Sequence, residues 1–318
     1  MAGTVAARPQ RGVSVSAQSC HISRAPEHTL GGKDPLGNPS LPTIRTMQLR
    51  SLALEALCIQ DPTEKVRATQ ALWMAQDAWA VDRQASVSPK PGLPLPGRPG
   101  RPHLIHPSQV PTRSPHTLAG RAALLHAICH IEFNAINLAL DAVWRFNGMP
   151  LDFYKDWMRV AFEESQHFDM LRQQLQRMGG NSQTWDYGDF DAHDGLWAMC
   201  EKTKDDIVAR MALVPRTLEA RGLDATPVIQ EKLSKVATPD AMAICGLLDT
   251  ILRDEVGHVA IGNHWYRWLC EREQLDPVAH YGHLVAQYDA PKLKPPFNEA
   301  ARRKAGFSDV EIGYLLGA

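Results

Sequence analysis

The chain has 318 residues, 44% of them hydrophobic and 22% charged, with a formal net charge of −1 at neutral pH. That length holds one large domain or two smaller ones, in an ordinary globular balance. A charge so near zero excludes global steering toward nucleic acid or an anionic membrane, a local basic patch aside. No uninterrupted apolar run approaches the roughly 20 residues a membrane helix needs. Cysteines at positions 20, 58, 129, 200, 245 and 270 form no Cys-x-x-Cys pair and sit at irregular gaps. A zinc site or a small secreted disulfide framework is therefore not expected. Cys129 and Cys245 fall in apolar helical stretches, where buried free thiols are the expectation. This usage suits a reducing compartment, and a cytoplasmic location is expected.

Residues 1–45, rich in Gly, Pro and Ser, read as a flexible arm. Its first 26 residues contain Arg, Ser and Ala but no acidic residue and no apolar signal-peptide core. A disordered tail is favoured there over an organelle transit peptide, since no amphipathic stripe is clear. Residues 46–86 carry two short helices. The first begins with Leu49, Leu52, Leu54, Ala56 and Leu57 and breaks at Asp61-Pro62; the second runs from Glu64 to Val81. Residues 87–116 are too rich in proline for regular helix or central strand and read as an extended connection. Arg98, Arg101 and Arg113, with His103 and His106 nearby, would admit a phosphate contact, although a solvated linker is favoured.

Long helical periodicity begins at Thr117 and extends to residue 274. A first helix covers Thr117 to Phe146 and stops at Asn147-Gly148-Met149-Pro150. A second starts near Leu151-Asp152 and ends at Met178-Gly179-Gly180. The loop Asn181 to Asp194 holds Trp185, Tyr187, Phe190 and His193. A third helical region covers Gly195 to Val236, contains Pro215, and breaks near Gly222 to Pro227. The fourth starts with Thr238 as N-cap and Pro239 at the first helical position, and ends near Cys270 to Gln274. Residues 275–318 read as short helices and a loop, Pro291 to Pro296, packed on the outside. The fold class is all-α, a four-helix bundle with extra N-terminal and C-terminal helices.

Two Glu-x-x-His motifs stand out, Glu164 with His167 and Glu255 with His258. Residues three apart share a helix face, so each pair converges on one point. One such motif alone is weak, because glutamate is common on helix surfaces and core histidines are often simply hydrogen-bonded. Each motif, however, follows a helix with a lone glutamate in an apolar setting. Glu132 shares a face with Leu125, Cys129, Ala135, Ile136 and Ala139; Glu219 shares one with Val208 and Ala212. In an antiparallel hairpin, residues at one height are equidistant from the turn. The midpoint of Glu132 and Glu164 is Gly148, and that of Glu219 and Glu255 is residue 237, beside Thr238-Pro239. One Glu from each of two helices and one Glu-x-x-His from each of the others is the ligand set of di-iron and di-manganese carboxylate bundles. Carboxylates bridge two cations and offset their charge, and imidazole suits iron. Without cations, four carboxylates in an apolar core would repel and resist ionisation.

The stretches His130-Ile131-Glu132, Glu163-Glu164-Ser165-Gln166-His167-Phe168, His193-Asp194-Gly195-Leu196-Trp197 and Leu252 through Gly262 resemble the DUF455 family of the ferritin-like superfamily. The likeness covers about residues 47 to 285. It implies a ferritin-like fold and a di-metal centre but no reaction. A more distant likeness is to tRNA hydroxylases of the MiaE type, which use a di-iron site.

The expected centre holds two metal ions, iron first, with manganese or a mixed Mn/Fe pair as alternatives. The expected function is a non-haem di-iron oxidoreductase that activates dioxygen, a hydroxylase or oxidase. Its partners would be dioxygen, an unidentified substrate and an electron-donor protein, in a monomer or small homo-oligomer. The alternatives are iron storage with ferroxidase activity, metal sensing, and a metal-stabilised interaction protein. Around the centre, His193 and Asp194 are candidates for a gate, and Asp194 equally for the N-cap of the helix at Gly195. His126 reads as packed or surface, and His130 as pointing away from Glu132. Glu163 reads as outward or paired with a base. Asp254 or Asp169 is a candidate to hold a ligand imidazole.

Overall fold

The computed structural model describes residues 47–179 and 184–317. The expected arm over 1–45, Cys20 and the first residues of the loop after Met178 lie outside the described residues. Among the described residues the fold is all-α, apart from one two-residue parallel pair, β1 (Met47–Gln48) with β2 (Trp79–Ala80), and an isolated bridge between Leu104 and Ala192.

Two short helices come first, α1 (Leu49–Leu57) and α2 (Pro62–Met74). Asp61 starts α2 by accepting the Glu64 N–H at 2.9 Å, with Pro62 in the first turn where its missing N–H costs nothing. The helix stops at Met74, not at Val81 as its composition suggests. Trp79 turns back and donates its indole N–H to the Leu72 carbonyl at 3.0 Å, which lets residues 79–80 pair with β1 instead of extending the helix. Both helices dock through buried cations. The Arg50 guanidinium donates to the carbonyls of Trp144 and Ala85. The fully buried Lys65 ammonium donates to the carbonyls of Leu57 and Gly97 and to the Asn137 side chain.

α3 (Leu118–Arg145) and α4 (Leu151–Met178) have the boundaries that their turn residues predict. The Thr117 hydroxyl accepts the Gly120 N–H at 3.1 Å, and Gly148, at φ +72°, makes the left-handed turn between the helices. Cys129 reaches the Phe168 carbonyl and the ring of Phe133 packs on that of Phe168, so the helices run back along each other about the expected fold point. By length and mean hydropathy α3 passes for a membrane span, with a window averaging 1.3, although uninterrupted apolar runs suggest nothing of the kind. Its window is 78% buried inside the fold, and it serves as the central core helix, covered by α4 and α1.

The third helical region differs most from expectation. It is built from α5 (Gly195–Lys202), α6 (Ile207–Leu213), a π-helical segment (Val214–Glu219) and α7 (Ala220–Val236). No break occurs at Gly222 to Pro227, because α7 runs through Pro227. A proline inside a helix strands the carbonyl four residues earlier. Here that carbonyl belongs to Leu223 and accepts a hydrogen bond from the Asn298 side chain at 3.1 Å. The real irregularities are Thr203–Asp206 and the π-helical segment. α8 (Pro239–Arg272) has the expected ends, but the Thr238 side chain makes no capping bond.

α9 (Pro277–Gln287), α10 (Glu299–Lys304) and α11 (Asp309–Leu316) close the chain. Ala301, Ala305, Phe307 and Ile312 form a small second core with Ala220, Leu223 and Val259, laying α10 and α11 over the junction of α7 and α8.

Candidate metal centre

α3, α4, the π-helical segment and α8 each aim carboxylate or imidazole groups into one buried region. Glu132, Glu164, His167, Glu219, Glu255 and His258 are all buried, none more than 8% exposed. Ligand atoms of Glu132, Glu164 and His167 lie within 4.8 Å of one another, as do those of Glu164, Glu255 and His258. Glu164 belongs to both groups. Its Oε1 is 2.8 Å from His258 Nδ1 and its Oε2 is 3.2 Å from His167 Nδ1. His167 Nδ1 also stands 3.6 Å from Glu132, and His258 Nδ1 3.3 Å from Glu255.

Glu219 joins this region through a register that spacing alone does not give. Gly222 faces Glu255, where an added Cβ would stand 3.7 Å from the Glu255 Cγ, and Pro215 faces Gly262. That register puts Glu219 level with His258, about one turn from the expected partner Glu255. Both Glu219 carboxylate oxygens lack a hydrogen-bond partner among the described residues. π-Helical turns recur at functional sites because the wider turn re-aims a side chain. Gly262 permits this one, since a Cβ there would stand 2.6 Å from the Pro215 ring.

Burial sets the electrostatics of these acids against their charge. Burial, with the nearby charge of Glu164, pushes Glu132 well above the usual carboxylate range. Burial and the charges of Glu255 and Glu164 do the same to Glu219. Burial also raises Glu255. Glu164 goes the other way: burial opposes its charge, but the facing His258 and its hydrogen bonds outweigh that and hold it well below its ordinary value. Burial disfavours a charged His167, yet bonding to Glu132 and Glu164 raises it to about 11. His258 is likewise raised against burial, by Glu164 and Glu163. Protonated imidazoles here take the place of the positive charge that the carboxylates require. Two divalent ions would offset four carboxylates in full and free both Nδ1 atoms to ligate. The unpartnered Glu219 oxygens fit the same reading.

The far side of each imidazole is braced by the opposite motif. His167 Nε2 donates to Asp254 of α8 at 3.2 Å, and His258 Nε2 donates to Glu163 of α4 at 2.7 Å. In each case the partner is the residue just before the glutamate of a Glu-x-x-His motif. Asp254 is one of the two partners expected from sequence. Asp169, the other, makes no such contact, because it accepts from Gln173 on the exposed face. Glu163 takes the second of its two expected places, paired with a base, but that the base is His258 is not expected from sequence, although acid-Glu-x-x-His occurring twice is its signal.

The remaining candidates lie apart from the six. His126 is buried and its Nε2 accepts the Gly188 N–H at 2.9 Å. His130 faces away from Glu132, toward the Tyr187 hydroxyl at 2.9 Å and the His193 carbonyl at 3.2 Å. The His193 side chain accepts the Gly195 N–H. Asp194 makes no capping bond; its carboxylate instead receives two hydrogen bonds from Arg98, at 2.6 and 3.0 Å.

Residues 58–313 match the family described as "Protein of unknown function (DUF455)". The chain belongs to the DUF455 family. It is also similar to an "Uncharacterized protein" of Haemophilus influenzae, 50% identical over 224 residues, which cover 68% of this chain and 75% of that protein. No solved structure matches. The DUF455 match spans all six buried acids and histidines as well as the bracing carboxylates.

Proposed function

We propose that Glu132, Glu164, His167, Glu219, Glu255 and His258 hold two metal ions in a ferritin-like four-helix bundle, and that the protein is a non-haem di-iron oxidoreductase acting with dioxygen on an organic substrate. Iron is the leading choice, with manganese or a mixed pair as the alternatives, since metals of this series accept similar ligand sets. The observation that carries the reading is Glu164, one carboxylate with an oxygen toward each of two Nδ1 atoms, in a region holding three further buried acids.

Iron in such a set supplies the electrons for reducing dioxygen. The chain's own residues do the rest. Asp254 and Glu163 accept hydrogen bonds from the two Nε2–H groups, which would leave each Nδ1 to face an ion. Glu219, with no hydrogen-bond partner among the described residues, would be free to turn toward either ion. The apolar core around α3 and α4 keeps bulk water from the centre. Six ligands for two ions leave coordination positions open, which favours turnover over a purely structural site. A separate electron-donor protein and a monomer or small homo-oligomer complete the proposal.

Metal analysis of protein from its native host should give about two iron or manganese ions per chain. The reduced, loaded protein should consume dioxygen. Protein that stays free of both metals when supplied with them ends the metal reading. Loaded protein that consumes no dioxygen with any reductant ends the oxidoreductase reading, and a cage-sized native mass would replace it with storage.

A further inference from the structure

A second feature lies on the outward side of α7, turned away from the buried acids. Residues Arg221, Asp224, Val228 and Lys232 recur at helical spacing along this face. Opposite them runs the segment Pro291 to Phe297, and a groove of about 440 Å³ lies between the two. That volume is in the range of small-molecule sites.

The groove is built on buried anchors. The Asn298 N–H donates to Asp224 at 2.8 Å, while the Asn298 side chain donates to the Leu223 carbonyl. Arg302, fully buried, donates to both oxygens of Asp224, at 3.1 and 2.6 Å, and stacks its guanidinium 4.9 Å from the centre of the Phe297 ring. The loop wall is thereby fixed to the helix wall, and the charge of Asp224 is answered from inside.

What remains is strongly one-sided. Arg221, Lys232, Lys292 and Lys294 line the groove, and none of them forms a close ion pair among the described residues; the groove's own carboxylate, Asp224, is taken by Arg302. Glu231, beside Lys232 in sequence, pairs with Lys235 instead. Val228 and Phe297 add apolar wall between the cations. Four cations with no close ion pair among the described residues, in a cleft of this size, call for a ligand with several negative charges and an apolar part. A monocarboxylate answers only one of them, whereas a triphosphate carries about three to four charges on oxygens suited to Lys and Arg.

We propose that this groove binds a polyanionic organic phosphate of nucleoside-triphosphate size. The site is independent of the metal reading: α7 follows directly on the π-helical segment that carries Glu219, but the groove uses none of the ligand side chains.

Calorimetric titration of the full chain with ATP at about 0.15 M salt, where long-range surface attraction is screened, is the test. One ATP per chain should bind, and adenosine should not. Lys232→Glu combined with Lys294→Glu should weaken ATP at least roughly tenfold, a loss of about 1.4 kcal/mol, without lowering the melting temperature or the metal content. Lys204→Glu, in a residue that pairs with Glu201 elsewhere, should leave ATP binding unchanged. Absence of saturable binding, or equal binding by the double variant, overturns the proposal. Inorganic tripolyphosphate binding as tightly as ATP overturns the organic part of it. An RNA oligonucleotide that displaces ATP at lower concentration overturns the small-molecule assignment. Unchanged metal content in the double variant keeps any of these failures separate from the fate of the metal centre.

Discussion

Glu163 and Asp254 each stand one residue before a motif glutamate and reach across to the histidine of the other motif, at 2.7 and 3.2 Å. Outer carboxylates of this kind fix the imidazole tautomer and raise its basicity, and their loss typically costs roughly 10- to 100-fold in metal affinity. Glu163→Gln and Asp254→Asn are expected to weaken metal binding within that range, measured by competition against a chromophoric chelator. Unchanged affinity in both would remove the braces from the account. Glu219 tests the opposite balance. It is buried, has no hydrogen-bond partner among the described residues, and is pushed toward its neutral form by burial and by Glu255 and Glu164. Replacing such a group by an apolar one of similar size relieves a desolvation penalty. Glu219→Leu should therefore stabilise the metal-free protein by about 1–3 kcal/mol in urea unfolding while abolishing or halving metal occupancy. A variant less stable than its metal-free parent contradicts this. The ligand types are legible in sequence as two Glu-x-x-His motifs and two lone apolar-face glutamates. The Glu163 brace is not, because a residue adjacent to a ligand points about 100° away on its own helix and finds its partner only on another.

Helix boundaries follow from local chemistry where that chemistry is local. Thr117, Gly148 and Asp61 cap or turn as their types dictate, and α3 and α4 end where their sequences say. The π-helical segment is different, because its geometry depends on the surface it meets. Pro215 rests against Gly262, and a Cβ there would lie 2.6 and 2.8 Å from two carbons of the proline ring. A ring cannot rotate out of the way as a flexible side chain would. Gly262→Ala is expected to destabilise the protein by about 1–3 kcal/mol and to lower metal occupancy through displaced Glu219. Denaturant unfolding and metal analysis read the two effects separately, and an alanine variant with full stability and full metal content would show that the contact is slack. Pro227 makes the complementary point. Its neighbourhood reads as a helix break, yet the helix continues because Asn298, far along the chain, supplies the donor that proline lacks.

At the scale of the whole molecule, the C-terminal helices are tied to the segment that carries Glu219. Arg216, 3% exposed, donates to Asn263 at 2.8 Å and pairs with Glu311 at 2.8 Å, between the rings of Tyr266 and Phe307. Burial alone would raise the Glu311 pKa, but Arg216, the Ser308 N–H and Arg267 outweigh it and lower it to about 2. A carboxylate depressed in the folded state binds fewer protons than in the unfolded chain. Its stabilisation is present above the ordinary glutamate range and is lost as the pH falls from about 4.5 toward 2. Glu311→Gln should flatten that part of the stability profile, seen as a smaller drop in unfolding midpoint between pH 5 and pH 3. A variant whose profile parallels the parent's would place the acid sensitivity elsewhere. Metal acts on the same equilibrium from the other side. An ion that binds only the folded state adds about 2.7 kcal/mol at a free concentration of 100 times its Kd. Iron or manganese should therefore raise the melting temperature by several degrees and chelator should reverse the gain, with no shift in a Glu164→Ala variant. By itself, the sequence determined the helical class, the hairpin turns and the residue types gathered at the candidate centre, because periodicity, capping and spacing are short-range properties. Tertiary structure alone decided which acid braces which imidazole, the register that sets Glu219 level with His258, and the survival of α7 through Pro227. Each of these depends on contacts between residues distant in the chain, and such contacts exist only once the core has fixed one helix against another.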